Sequence, residues 1–273
     1  MTTTLAPGFH VAPGQPIDST AYDRWVGRWS RLFVPEVLAA AGVQVGQRVL
    51  DVSTGTGEAA LGIASIIGAS GLLVGADIAP AMLEGARSRL NQQAFLPVAA
   101  DGQALPFVDS SFDAVVCQLG LQFFSDPGLG LIEFRRVLRQ GAQAAVCVIS
   151  TPDRAPVWGV LADVLGRLHP EQRSILQLSF ALADSVQLEQ LFRSAGFQDI
   201  RVERRSRDGI FDSFEDYWAP IAAGTGSIPQ IYLSLPEPER DAVREEVRTR
   251  LTGFKAGEQL RMSVEMLIAS GRA

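Results

Sequence analysis

Two cysteines and two histidines are the only thiol and imidazole metal ligands in this 273-residue chain. Cys117 and Cys147 each sit inside an apolar, strand-like run and outside any metal-spaced cluster, so they read as buried free thiols. With only His10 and His169 beside them, a multi-histidine site is not expected and no metal is assigned. Basic charge is also short, since 24 Lys and Arg against 30 Asp and Glu leave a net charge of −6. Phosphate neutralisation needs clustered cations, which counts against nucleic acid as a partner. Arg201, Arg204, Arg205 and Arg207 do cluster, but Glu203 and Asp208 interrupt them, and the stretch reads as a solvated strand edge. No apolar run is long and uncharged enough to span a membrane, and the N-terminus lacks the basic-then-apolar pattern of a secretory leader. A cytoplasmic protein is the expectation, with the oligomeric state left open and a homodimer allowed.

The chain does have apolar material for a core, 47% of its residues, and a strong rhythm. Residues 1–20, rich in Thr, Pro and Gly, read as a flexible arm. A helical segment follows up to Gly42, with Trp25, Trp29 and Phe33 at a spacing of four on one face. From there strands and helices alternate: "RVLDVS", a helix Glu58 to Ile67, "LLVGAD", a helix Pro80 to Leu90, "AFLPVAAD" and "FDAVVCQ". A helix within "SDPGLGLIEFRRVLRQG" comes next, capped by Asp126, begun by Pro127 and stopped by Gly141, and then the strand "AQAAVCVIS". These strands are apolar on both faces, as in a parallel sheet covered by helices on both sides. Residues 152–183 hold helical pieces broken by Pro152, Pro156 and Pro170. A helix capped by Asp184 and ended by Gly196, a sixth strand "QDIRVERRS", a mostly helical insertion over 211–257 and a last strand "QLRMSVEMLIASGR" complete the reading.

Three consecutive strand ends carry polar chemistry. Strand one runs into Asp51-Val52-Ser53-Thr54-Gly55-Thr56-Gly57, where the glycines permit a tight bend and the next helix offers free N–H groups. Asp77 ends strand two, where a carboxylate can accept both hydroxyl protons of a ribose. Asp101 ends strand three, followed by Gly102 and Gln103, and can read the edge of a purine. Each feature alone is common. Together they lie in register along the carboxyl edge, where open α/β sheets bind ligands.

The stretches "VLDVSTGTGEAAL", "GLLVGADIAPAML", "VAADGQALPFVDSSFDAVVCQLGLQFFSD" and "EFRRVLRQGAQAAV" resemble the class I S-adenosylmethionine-dependent methyltransferases. The resemblance is to the broad group that includes ubiquinone/menaquinone biosynthesis C-methyltransferases. It is strong over 45–150, looser at 185–206 and 258–271, and weak elsewhere. It implies an α/β, doubly wound, seven-stranded, mostly parallel sheet with an antiparallel last strand, in a Rossmann-like fold. It also implies S-adenosyl-L-methionine as cofactor and S-adenosyl-L-homocysteine as product. Asp51, with Ser53 and Thr54, would organise the loop and meet the cofactor's amino group, and Gly55 and Gly57 would pass beneath the methionine. Asp77 would hold the ribose, and Ile78 and Met82 would flank the adenine. Asp101, Gly102 and Gln103 would meet its amino edge, while Gln118 and Leu119 would line the methionine end. Two departures stand out: Ser53 replaces the first glycine of the usual loop, and Arg139-Gln140-Gly141 replaces a common Pro-Gly-Gly.

Methyl transfer from a sulfonium needs alignment and exclusion of water more than a dedicated base. The catalytic residues therefore stay open, with His169 and Tyr22 as weak candidates. Tyr22, Trp25, Trp29, Gln122 and Phe123 are the residues expected to face the acceptor, although a core role is at least as natural for Trp25 and Trp29. "QLGLQFF" after strand four lacks an Asn-Pro-Pro-Tyr-like motif, which counts against a base-flipping DNA enzyme. A small apolar or aromatic metabolite is the expected acceptor, with a lipid headgroup amine as another. Two rivals remain: a protein of this fold that binds the cofactor without transferring methyl, and a nicotinamide-dependent oxidoreductase, whose Gly-x-Gly-x-x-Gly the loop matches only in part. The expected organisation is one domain over 21–273, with a cofactor core over 45–150 and a substrate cap from 21–34, 152–183 and 207–257.

Overall fold

A computed structural model describes residues 22–90, 94–224 and 226–273; the expected N-terminal arm and His10 lie outside them. Strands β1 (Arg48–Val52), β2 (Leu72–Asp77), β3 (Phe95–Ala99), β4 (Phe112–Gln118) and β5 (Leu138–Ile149) pair in parallel. β6 (Gln198–Phe211) and β8 (Gln259–Arg272) complete the order β3-β2-β1-β4-β5-β8-β6, in which β8 runs antiparallel to both neighbours. This is the expected seven-stranded sheet. An eighth strand, β7 (Lys255–Ala256), only folds back on β8 through a turn at Gly257, whose φ is 68°.

Period-two alternation sorts the strands' side chains into two cores. Val49, Leu73, Val116, Cys147 and Ile268 face one side; Leu50, Val74, Val115, Val146 and Leu267 face the other. Helices Val34–Ala40, Glu58–Ile67 and Pro156–Leu168 cover the first face, and Pro127–Val137 and Ser185–Ser194 cover the second. Cys117 and Cys147 are both buried and free.

Local signals place most element ends. Val43 N bonds Leu38 O and Gly42 N bonds Ala39 O, a Schellman closure with Gly42 at φ 65°. Asp126 caps Leu129 N, and Asp184 caps Val186 N and Gln187 N. Two expectations shift. The helix after Asp126 ends at Val137 rather than running to Gly141, which lies inside β5 with φ 80° and donates to Ala273 O. β6 extends past Ser206 to Phe211 because β8 pairs with it along its whole length, so residues 207–211, expected in the substrate cap, are strand, and the insertion begins after Phe211.

Pro156 and Pro170 start helical segments instead of breaking them. The insertion that follows β6 forms helices Phe214–Ala222, Ser227–Ser234 and Glu237–Arg250. Edge-to-face and stacked rings weld it to the body: Trp218 meets Tyr232 and Phe214, Tyr217 meets Phe211 and Trp25, and Trp29 meets Phe211 and Trp158. The Tyr217 hydroxyl donates to Val157 O at 3.1 Å, which satisfies the one polar atom of that buried side chain.

Candidate active site

From β1 the chain winds outward through β2 to β3, then crosses to β4 on the other side. The crevice opens at the carboxyl ends of β1 and β4, the switch point of the sheet. After Asp51 the backbone turns at Ser53, whose φ of 56° lies in the left-handed region, and continues through Gly55 at 55° and Gly57 at 91° into the helix Glu58–Ile67. A serine in that region carries a strain of about 1 kcal/mol. The side chain has a place to go. A Cβ on Gly120 would come within 2.4 Å of Ser53 Cβ and 2.5 Å of its Oγ, so the glycine after β4 vacates the volume the serine fills.

The loop is pinned from beneath. Thr54 N donates to Ala76 O at 3.1 Å, and Thr54 Oγ1 donates to Asp51 Oδ2 at 2.7 Å. Asp51 Oδ1 is buried and has no partner among the described residues. Burial, opposed by the Thr54 hydroxyl and the Ala60 backbone N–H and aided by the charge of Asp77, pushes the Asp51 carboxyl up to about 7. Asp77 spans two turns: Oδ2 accepts from Gly55 N and Oδ1 from Ala79 N, each at 2.9 Å. Burial still raises its pKa against those donors. Each of its oxygens retains a lone pair for a ligand hydroxyl. Asp101 Oδ1 accepts from Gln103 N at 2.9 Å and from its Nε2 at 3.1 Å. Gln103 Oε1 in turn accepts from Ser125 Oγ at 2.9 Å and Asp126 N at 2.8 Å, tying the turn after β3 to the loop after β4.

One cavity gathers Ser53, Gly55, Asp77, Ile78, Met82 and Asp101 with Gly102, Gln103, Gln118 and Leu119, and adds Tyr22 and Phe123. A smaller one under Tyr22 and Val26 shares Ser53, Gly55, Gln118 and Leu119 and adds Asp51 and Thr54. Gly57 lines neither. A Cβ there would meet Leu90 Cδ1 at 3.1 Å and Ala86 Cβ at 3.3 Å, so this glycine lets two helices approach. Gln118 Nε2 donates to Ser30 O at 2.6 Å and to Ser30 Oγ at 2.9 Å, which seats the N-terminal segment on the end of β4.

Trp25 and Trp29 are fully buried and line neither cavity; their rings belong to the aromatic core. Gln122 also lines neither, yet it is buried and both amide atoms lack partners among the described residues. His169 lies at the C-terminal end of helix Pro156–Leu168, between Glu171 at 3.4 Å and Glu239 at 3.3 Å, and outside both cavities. Burial and the charges of Asp77 and Asp23 hold the Tyr22 phenol well above its ordinary pKa, so at neutral pH it is a neutral hydroxyl. Gly120 and Ser125 line the main cavity without having been anticipated. Gly120 was visible only as one small residue in "QLGLQFF", and its partner Ser53 lies on another strand.

A family model described as the ubiE/COQ5 methyltransferase family matches residues 27–211. A curated relative, the ubiquinone/menaquinone biosynthesis C-methyltransferase UbiE of Stenotrophomonas maltophilia (strain K279a), is 40% identical over 126 residues, covering 45% of this chain and 48% of that protein. The chain spans about half the length of the first curated relatives it matches. Among solved structures, phosphoethanolamine N-methyltransferase 2 of Haemonchus contortus, in complex with S-adenosyl-L-methionine, aligns with a TM-score of 0.58 and 18% identity over 93% of this chain and 56% of that one. The cyclase SpnF aligns with a TM-score of 0.54 and 19% identity over 89% and 81%. At such identities the two structures bear on the fold alone, which they share with this chain. The family match, by contrast, runs through the glycine loop, Asp77, Asp101 and the end of β6. The chain belongs to the ubiE/COQ5 methyltransferase family.

Proposed function

We propose that the cleft binds S-adenosyl-L-methionine and that the protein transfers its methyl group to a small apolar or aromatic metabolite. The observation that carries this reading is Asp51 Oδ1, buried and without a hydrogen-bond partner among the described residues, beneath a glycine loop whose neighbours are Asp77 and Asp101. The residues fit the group. Asp51 Oδ1 would accept from the cofactor's ammonium, Asp77 from its ribose hydroxyls, and Asp101 from its adenine amino group. Ile78 and Met82 supply the apolar walls for the base. Bound there, the cofactor supplies a methyl group on a sulfonium, already activated toward in-line displacement.

The protein's own part is alignment and exclusion of water. Tyr22 and Phe123 line the cleft and are the residues proposed to meet the acceptor. Tyr22 enters with its hydroxyl protonated, as a hydrogen-bond donor rather than a base. The curated relatives are named for C-methylation in ubiquinone/menaquinone biosynthesis, which supports a quinone-like aromatic acceptor. In this reading 22–34, 152–183 and 212–257 form the cap over the acceptor.

Calorimetry with S-adenosyl-L-homocysteine and with NAD, followed by a labelled-methyl screen over metabolite extracts, tests the proposal. Binding of the first, none of the second, and one labelled apolar product are expected. Binding of NAD alone overturns the cofactor assignment, and tight cofactor binding with no labelled product overturns methyl transfer.

A further inference from the structure

The outer side of the glycine loop is held by a group of charges to which the cofactor reading gives no task. Asp23 lies in the π-helical turn Asp23–Gly27, directly after Tyr22. Its Oδ1 accepts from Thr56 Oγ1 at 2.6 Å and from Arg89 Nη1 at 3.3 Å. Arg89 Nη1 also donates to Thr56 O at 3.0 Å, and its Nη2 to Glu58 Oε1 at 2.8 Å. Arg31, from the other end of the N-terminal segment, donates to the same Glu58 Oε1 at 3.2 Å and to Gly27 O at 3.0 Å. Thr56 stands between the two loop glycines, so the N-terminal segment grips the loop itself.

Gly27 shows how close this contact is. A Cβ there would lie 3.1 Å from Glu58 Oε1 and 3.3 Å from Asp23 Oδ1, so a larger residue presses on both carboxylates at once. The paired side chains are partly shielded from solvent: Asp23 is 23% exposed, Arg89 27% and Glu58 13%. Charge-assisted hydrogen bonds at such sites hold geometry better than exposed surface pairs. Single π-turns also recur where a helix serves a site.

From this geometry we infer that Asp23 is a positioning residue. It latches the N-terminal segment to Thr56 and Arg89, and this holds Tyr22 over the cleft. Cofactor retention then depends on Asp23 and Arg89, which line neither cavity, acting through Thr56 and Glu58, which line the smaller one. The inference rests on the cofactor reading given above. Binding requires the latched arrangement, so weakening the latch lowers the competent fraction and the apparent affinity by the same factor.

Trypsin supplies a direct readout, since Arg24 and Arg28 lie within the latched segment. In the wild type, S-adenosyl-L-homocysteine should protect the bonds after Arg24 and Arg28. In Asp23→Asn and Thr56→Val that protection should be lost, and stopped-flow dissociation of the ligand should be about tenfold faster. Thermal midpoints without ligand should match the wild type, and Thr56→Ser, which keeps the hydroxyl, should restore protection. Wild-type rates and protection in both Asp23→Asn and Thr56→Val overturn the latch while leaving the cofactor reading intact. A wild-type protein that binds no S-adenosyl-L-homocysteine overturns the cofactor reading and the latch with it.

Discussion

The cofactor cleft and the aromatic cap stabilise themselves in opposite ways. Around the cleft the backbone is held at left-handed angles at Ser53, Gly55, Gly57 and Leu119, and Asp51 Oδ1 has no partner among the described residues. Strain and unmet hydrogen bonds gather where a ligand is to supply what is missing. In the cap, Trp218, Phe214, Tyr217 and Trp25 fill one another's faces, and the Tyr217 hydroxyl finds Val157 O within the protein. The cleft leaves a buried carboxylate oxygen facing a cavity, whereas the rings of the aromatic cluster close on one another. Substitutions should therefore separate them cleanly.

The largest expected effect lies in the cap. Trp218→Ala should lower unfolding free energy by about 3–5 kcal/mol, because it removes a buried ring from a closed cluster. Urea denaturation measures this, and calorimetry on the remaining folded protein should show S-adenosyl-L-homocysteine affinity changed by less than about threefold. A parallel collapse of affinity would mean that the two regions are coupled.

Asp77→Ala should weaken the same ligand about a hundredfold, with a stability loss of about 1–3 kcal/mol, below that of Trp218→Ala, because Gly55 N and Ala79 N lose their acceptor. His169→Ala, between two surface glutamates, should leave affinity within about twofold. Equal effects of the two would remove Asp77 from the site.

Gly120→Ala should cost about 1–3 kcal/mol through overlap with Ser53, since Gly120 itself sits at φ −109°, which alanine adopts freely. Adding Ser53→Gly to that variant should recover most of the loss. A double-mutant cycle with no coupling would show that the two side-chain positions do not share a volume.

A smaller effect follows from Asp51. Its folded pKa, about 7, lies above the ordinary carboxylate range, so the folded state binds the proton more tightly than the unfolded chain. Its contribution to stability is present in acid and declines as pH rises from about 4 to 7. A cationic ligand needs the carboxylate, so affinity for S-adenosyl-L-methionine should rise over the same range, with proton release on binding below about pH 7. Calorimetry in buffers of different ionisation enthalpy reads that proton, and Asp51→Asn should abolish it. Smallest of all, Ser53→Gly alone should leave affinity within about twofold, because relief of backbone strain offsets the lost contact with Gly120.

Much of the cleft half was legible because its signals are local. Leu72–Asp77 and Phe112–Gln118 have the bounds their apolar runs suggested, each flanked by polar or turn residues. Asp51, Asp77 and Asp101 could be aligned from strand ends alone, since parallel strands place their carboxyl ends on one edge. What escaped depends on distance in the chain. Trp25 and Trp29 read equally well as lid or core until Phe211 and Tyr217, far along the sequence, closed over them. Gly141 reads as a ready stop for the helix after Asp126, whereas pairing with β4 draws Leu138 into the sheet and ends the helix at Val137. The Ser53–Gly120 fit and the Asp23–Thr56–Arg89 contacts join segments that share no periodicity, so no window of sequence contains them.

The placing of β8 between β5 and β6 sets an order on how the molecule can be built during synthesis. Among the described residues β6 pairs with β8 alone. While the nascent chain emerges, the strands β1 to β5 can already find their neighbours, but the arginine-rich β6 has none until the residues of β8 are out. The helices Phe214–Ala222, Ser227–Ser234 and Glu237–Arg250 are made in that interval. Until then β6 has no strand partner, and charged side chains such as its arginines oppose pairing with foreign edges.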